Sequence, residues 1–474
     1  MPASYLHGVE TIEIQKGARP VQVVKSAVIG IVGIAPKGPV NQLTQILNPA
    51  DAATTFGSEL PGFSIPQALS AIYAQGAGTC VVVNIFDPAT MTTPVAAETK
   101  TVTNGKAKTT HAPVSAVVVT NNAGSTTFVP GTDYTIDDFG NITVLNFTAI
   151  AEGSTIKCTY TRLNTASITP SVIVGTISGT GARSGFKALA LSYSTFGYTP
   201  KILIAPGYCQ ESTGAVAAEM IAQADALKAF AIIDAPTNTD VDDAITGRGP
   251  TGTIPGFKTS SKRVILAYPN LKVYDVATDA VQVRPYSQFL AGVIAATDLA
   301  EGYWISPSNH EIKGVTGPER IITAAINDAS TDANALNEVG VVTLFNSFGT
   351  GLRVWGNRSA SWPTNTAPDN FIPVRRVADI LHESVEYAML PFIDRPINQG
   401  TIDSIRETVN AFIRTLIQRG ALIDGKCIYN KDKNPPTQLA LGQLVFDIEF
   451  LPPTPAERIT FESFIDINLF RNLA

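Results

Sequence analysis

The sequence predicts a multidomain protein of α/β and α+β type. It comprises an α/β core sheet domain with an inserted all-β module, a C-terminal α+β domain, and extended strand arms at both termini. Three observations carry this. Apolar β-type runs alternate with helical periodicity over residues 23–95 and again over 176–366. Between them, over 96–175, helix formers give way to Thr, Asn, Gly and Val. Each end of the chain, 1–22 and 456–474, carries a short alternating run with no obvious local partner. Residues 367–455 form the remaining, C-terminal domain. A chain of 474 residues is too long for one ordinary core, so several domains are expected.

In the first arm, Val9, Ile12 and Ile14 lie in a strand-like run closed by Gly17 and Pro20. The first core strand is Val28–Ile34. A short helix follows Asn48-Pro49, and Ala68, Leu69, Ile72 and Tyr73 mark one face of a second. The run Val81–Phe86 reads as a buried strand, so the sheet is expected to be covered on both faces. The inserted module shows short strands at 117–119, 134–136, 142–145 and 156–160. Turn-forming clusters such as Asn121–Gly124 and Asp137–Asn141 separate them. The α/β pattern resumes with strand 201–205, a helix over 215–230, strands 231–234 and 263–268, a helix near 288–297 and strand 341–345.

In the C-terminal domain a helix is expected over 375–389. The clearest helix of the chain spans 402–419, with Ile402, Ile405, Val409, Phe412, Ile413, Leu416 and Ile417 on one stripe. Thr401 caps it, and Gly420 ends it. The strand 444–450 follows. The Pro452-Pro453-Thr454-Pro455 break then detaches the last arm, where Ile459, Phe461, Ile465 and Ile467 alternate with polar residues.

Composition narrows the function. Charged residues make up 16% against about 25% in typical soluble proteins, and the net charge is −6. Without basic blocks the chain is a poor nucleic-acid binder. Its longest apolar stretch falls well short of a membrane span, and no signal-peptide pattern opens it, so a protein made in a reducing cytoplasm is expected. Cys80, Cys158, Cys209 and Cys427 stand singly and read as isolated thiols.

No catalytic, cofactor-binding or metal-ligating set is expected. The glycine run 179–185 resembles a dinucleotide loop but lacks the acidic partner about 20 residues on, and reads as a connection leaving the β module. His382-Glu383 begins a zinc motif whose second ligand position holds Glu386. Asp137-Asp138 and Asp242-Asp243 read as turn carboxylates. P-loop and nucleophile-elbow motifs are absent.

Several stretches together resemble the sheath proteins of contractile phage tails and phage-derived injection particles. They are Leu6–Ile14 with Gly17–Pro20, Phe196–Gly207, Trp304–Asn309 with Ile312–Gly317, Leu336–Val341 with Gly351–Arg358, and Arg395–Asn398 through to Pro453. The resemblance spans nearly the whole chain apart from 96–175. It implies a structural subunit rather than an enzyme, located in the virion tail and assembled in the bacterial host cytoplasm. Such subunits form a homo-oligomeric polymer of stacked hexameric rings around an inner tail tube protein, capped by baseplate and tail terminator proteins. The sheath contracts to drive the tube through a target envelope. The family implies a C-terminal domain that faces the tube, and Arg406, Arg414 and Arg419 on helix 402–419 are the candidate contacts. Competing with them is an ordinary solvated face with an Asp403–Arg406 pair. The arms suit β-augmentation of a neighbour. Val445, Phe446, Ile448 and Phe450 are expected to form the acceptor strand, against the alternative that both arms pair within their own subunit. An α/β enzyme and a β-rich adhesin are the rival classes. The first lacks a convergent polar site, and the second rests on 96–175 alone.

Overall fold

The computed structural model describes residues 21–473 apart from 77, 277, 348 and 350. The chain divides into two units. The larger comprises Lys25–Arg376 with Thr454–Ala474, and the smaller comprises Val377–Pro453 with, among the described residues, 21–24. The first arm, with Val9, Ile12 and Ile14, lies outside the described residues.

In the larger unit, β1 (Val28–Gly33) is followed by β2 (Leu43–Ile46), α1 (Pro49–Phe56), α2 (Ser64–Ala74) and β3 (Thr79–Asn84). The inserted module contributes β4 (Thr92–Thr101), β5 (Lys106–Lys108), β6 (Val114–Asn121), β7 (Tyr134–Ile136), β8 (Asn141–Val144) and β9 (Thr155–Leu163). The chain then runs through α3 (Pro170–Val174), α4 (Ser192–Phe196), β10 (Ile202–Ile204), α5 (Ala215–Leu227), β11 (Phe230–Asp234), α6 (Val241–Thr246) and β12 (Val264–Ala267). After these come β13 (Leu271–Asp275), β14 (Ala280–Arg284), α7 (Tyr286–Ala300), β15 (Gly317–Pro318), α8 (Asp332–Glu338), β16 (Val341–Ser347) and β17 (Gly351–Trp355).

The main sheet has the order β17-β16-β12-β11-β10-β1-β3-β2. Its six central strands are parallel, and β2 and β17 close its edges antiparallel. The period of two in side-chain direction divides the core. Ile29, Ile31, Cys80 and Val82 join α1, α2 and α7 on one face. Val28, Val32, Val81 and Val83 join α5 and α8 on the other. Both faces are therefore covered, as the unbroken apolar runs require.

The β module packs sheet β4-β9-β6 with sheet β5-β8-β7 around its own core of Val119, Tyr134, Ile142, Cys158 and Tyr160. Its strands span 92–163. Residues 170–174, read as the module's trailing edge, instead form α3, which starts at Pro170 and places Ile173 in the core of the main sheet. The helix expected over 215–230 stops at Leu227. Lys228 adopts a left-handed conformation, and Phe230 already pairs in β11.

The helix α9 (Ile372–Ala388) begins in the larger unit and ends in the smaller one. The smaller unit then contains α10 (Gln399–Gln418), β18 (Asp424–Tyr429), α11 (Pro436–Ala440) and β19 (Phe446–Leu451). Asn398, rather than Thr401, caps α10: its Oδ1 accepts from the Thr401 amide at 2.8 Å. Asn is the better cap, and Thr401 falls inside the first turn. Gly420, with φ of 81°, follows the helix in the left-handed region glycine favours.

Candidate assembly interface

The smaller unit presents a two-stranded antiparallel sheet, β18 against β19, running from the Asp424–Leu451 pair to Tyr429–Phe446. Helix α10 buries its stripe (Ile402, Ile405, Val409, Phe412, Ile413, Leu416) and packs on β18. Asn410, placed on the exposed face by helical spacing, lines up with the strand. Its Oδ1 accepts from the Cys427 amide at 2.7 Å and its Nδ2 donates to the Cys427 carbonyl at 3.1 Å. The outer edge of β19 pairs with no strand among the described residues. A two-stranded ribbon of this kind is marginal alone and carries an open row of backbone donors and acceptors. Phe446, Ile448 and Phe450 stand in β19. Val445 precedes it, with its amide and carbonyl both held by the Asn434 side chain at 2.8 Å.

Arg406 and Arg414 lie on α10, half-buried and exposed respectively, and Arg419 follows its last residue. Arg406 pairs with Asp403 at 3.1 Å and Arg414 with Glu407 at 3.5 Å, both on exposed surface. Arg419 is exposed at the helix end. Exposed pairs of this kind are worth about 0–1 kcal/mol, so each is easily exchanged for another partner.

The last arm leaves β19 at Pro452. Residues 452–466 contain no strand or helix, and Ile467–Leu473 form a short 3-10 turn. Ile459, Phe461, Ile465 and Ile467 are 70%, 90%, 99% and 72% exposed, with Phe464 and Leu469 exposed beside them. The arm thus carries a row of apolar side chains exposed to solvent.

Elsewhere among the described residues, the motifs singled out in the sequence take structural roles. The glycine run 179–185 forms a tight turn in which Ile177 bridges Arg183. Gly175 and Gly185 allow the two backbones to touch, since a Cβ on Gly175 would lie 1.9 Å from the Ser184 carbonyl oxygen. Among the described residues no group of three His, Cys, Asp or Glu side chains is placed to hold a metal, and no helix is long and apolar enough to cross a membrane. All four cysteines are buried and unpaired. Burial pushes the Cys80 thiol up to about 12.

Asp234 is a buried carboxylate with a shifted acidity, and it serves the fold. Asp234, at the end of β11, accepts from the Ser287 amide at 2.6 Å and the Ser287 hydroxyl at 2.5 Å. It thereby caps α7, whose own N-cap residue, Pro285, offers no side-chain bond. Burial raises its pKa to about 6, with the Ser287 hydrogen bonds opposing the rise.

Comparisons with known proteins identify the family. A profile for the phage tail sheath protein central domain matches residues 175–360, and one for the phage tail sheath C-terminal domain matches 365–466. The tail sheath protein of Burkholderia phage BcepMu is 48% identical over 467 residues, which are 98% of this chain and 97% of its own. The chain belongs to the phage tail sheath protein family. A putative prophage major tail sheath protein of Pseudomonas aeruginosa strain UCBPP-PA14 is 34% identical to this sheath protein, over 61% of this chain and 71% of the relative. The helical sheath of the anti-feeding prophage in its contracted state has the same fold. It aligns with a TM-score of 0.61 at 19% identity, over 98% of this chain and 100% of that one. The inserted module of the sheath protein matches separately, over residues 88–171, a family described only as of unknown function.

Sequence reasoning placed an apolar run at 459–467, a strand near 444–450 and the Asp403–Arg406 pair, which it gave as the alternative to a tube contact and which forms. It missed the role of Asn410 and two long-range ion pairs, Arg376–Asp298 and Arg358–Glu457. Their partners lie 78 and 99 positions apart, so no local periodicity announces them.

Proposed function

We propose that this sheath protein polymerises as stacked hexameric rings around an inner tail tube, and that contraction of the polymer drives the tube through the target envelope. The rings are joined by arm exchange. The C-terminal arm of one copy, and the N-terminal arm with Val9, Ile12 and Ile14, add as strands to the β18–β19 sheet of neighbouring copies. The observation that carries this reading is a complementary pair within one chain: an extended arm with its apolar side chains in solvent, and a two-stranded sheet with an open edge. Backbone pairing supplies affinity, and alternate apolar side chains supply register.

Helix α10 faces the tube, with Arg406, Arg414 and Arg419 making weak, exchangeable charge contacts to an acidic tube surface. Weak contacts suit a sheath that must slide, because each is worth about 0–1 kcal/mol. Baseplate and terminator proteins close the polymer at its ends. The energy of contraction resides in subunit contacts, so the function is structural, and the particle's tail is where the protein resides.

Negative-stain electron microscopy of the purified full chain tests the assembly. Tubular or ring-shaped polymers are expected, and a monodisperse monomer at all concentrations would refute it. Charge reversal at Arg414 is expected to weaken assembly on tubes several-fold at low salt, and unchanged co-assembly would remove that residue from the tube contact.

A further inference from the structure

We infer that Arg358 is a positioning residue for the C-terminal arm: with Trp362, Phe371 and Asn370 it forms a preformed socket for a carboxylate, which seats Glu457 and fixes the point where the arm leaves its own subunit. This rests on the arm-exchange reading above and names the pair that holds the arm's root.

Apart from Glu457, the contacts that hold Arg358 come from residues outside the arm. Arg358 bridges Phe371 in antiparallel fashion, flanked by Ser359 N–H to the Asn370 carbonyl and Ile372 N–H to the Asn357 carbonyl, each 2.9 Å. The guanidinium lies 3.7 Å from the centre of the Trp362 ring and 4.4 Å from that of Phe371. Its Nη1 donates to Asn370 Oδ1 at 3.1 Å. Asn370 is buried, and its Nδ2 donates to the carbonyls of Asn365 and Ala367, which fixes the amide's orientation. Trp362 is fixed in turn by its Nε1–H, which donates to the Glu338 carbonyl at 2.8 Å.

What the socket still offers is the Nε–Nη2 edge of the guanidinium. Glu457 takes that edge in a fork: Nε lies 3.2 and 3.0 Å from its two oxygens and Nη2 2.5 Å from Oε2. A planar guanidinium stacked on aromatic rings and held by a third partner loses little freedom when a carboxylate arrives. Lysine would keep the charge but lose both the fork and the stacking.

Beyond Glu457 the apolar residues of the arm begin. Arg458 to Asp466 carry no regular structure, and the apolar side chains of the arm point into solvent. With the root seated, the free tether begins at Arg458 rather than at the Pro452-Pro453 break. A shorter tether with a fixed origin raises the effective concentration of the arm at a neighbour's strand edge. From Arg458 to Ile467 the arm reaches about 33 Å when extended, so the socket also limits which neighbour it meets.

Full-chain variants test the pair. Glu457→Ala changes only the arm side, Arg358→Ala empties the socket, and Arg358→Lys keeps the charge alone. Arg458 provides a trypsin site directly after the seated residue. In unassembled Glu457→Ala, cleavage after Arg458 is expected to rise about tenfold, the scale of a forked, stacked ion pair. The main unfolding temperature should stay within about 1 °C of wild type, since no core contact is removed. The concentration at which polymers sediment should also rise about tenfold, and Arg358→Lys should move both readouts in the same direction. Wild-type cleavage and a wild-type assembly threshold in Glu457→Ala would overturn the proposal. If deleting 456–474 abolishes polymers while Glu457→Ala assembles normally, the arm reading stands and the socket falls. If the deletion leaves polymers intact, both fall.

Discussion

Removing the carboxylate of Asp298 should cost this protein more stability than most single substitutions. Asp298 lies on α7 with its side chain wholly inaccessible, and Arg376 on α9 is 4% exposed. Arg376 Nη1 donates to Asp298 Oδ1 at 2.6 Å, Nη2 donates to Oδ2, and a longer contact reaches the Ser26 carbonyl at 3.5 Å. Asp298→Ala leaves the guanidinium buried without its counter-charge, which costs about 3–5 kcal/mol. Unfolding entropy is about 2.1 cal/mol/K per residue, and the larger unit contains Lys25–Arg376. Those values convert the loss into a fall of about 4–7 °C in its unfolding temperature. Calorimetry of the full chain reads this directly. The double variant Asp298→Leu/Arg376→Met should recover most of the loss, because an apolar pair of similar volume removes the stranded charge. A shift under about 1 °C in Asp298→Ala would refute the reasoning.

Two predictions concern acidity. The pKa of Asp234 is raised by burial to about 6, above the usual carboxylate value. Its contribution is therefore full below about pH 4 and is lost as pH rises through 6. Asp234→Asn should flatten that part of the stability–pH curve, by on the order of 1–3 kcal/mol between pH 4 and 6, as read by denaturant unfolding at each pH. Glu98 in the β module behaves in the opposite sense. Burial raises its pKa, but hydrogen bonds from the Thr110 hydroxyl, Tyr160, Lys100 and the Thr110 amide outweigh that and hold it near 2. Its contribution is present above about pH 4.5 and is lost as pH falls towards 2. Glu98→Gln should destabilise the module by about 1–2 kcal/mol at neutral pH and abolish the acid-dependent loss, measured by hydrogen exchange in peptides from 92–163.

The parts of the fold legible in the sequence were those written in local periodicity. Val28–Gly33 and, within Thr79–Asn84, Cys80–Val83 are apolar runs, and such runs become central parallel strands because helices cover both faces. The stripe on α10 is legible for the same reason. The boundaries set by single backbone conformations were not. Lys228 ends α5 in a left-handed conformation that no side-chain pattern predicts. Pro170 begins a helix where the surrounding texture read as β. Asn410 is polar and lies off the apolar stripe of α10, yet it substitutes for a backbone partner of β18. The socket around Arg358 joins residues brought together only by the tertiary fold, so its two halves read as an unremarkable arginine and a glutamate in a linker.

The central claim is that terminal arms join the subunits. Deleting residues 456–474 and imaging the purified protein by electron microscopy tests it most directly. The account predicts that the shortened chain folds, retains its main unfolding transition, and forms no long sheaths at concentrations where the full chain does. Sheaths of normal length and order from the shortened chain would contradict it.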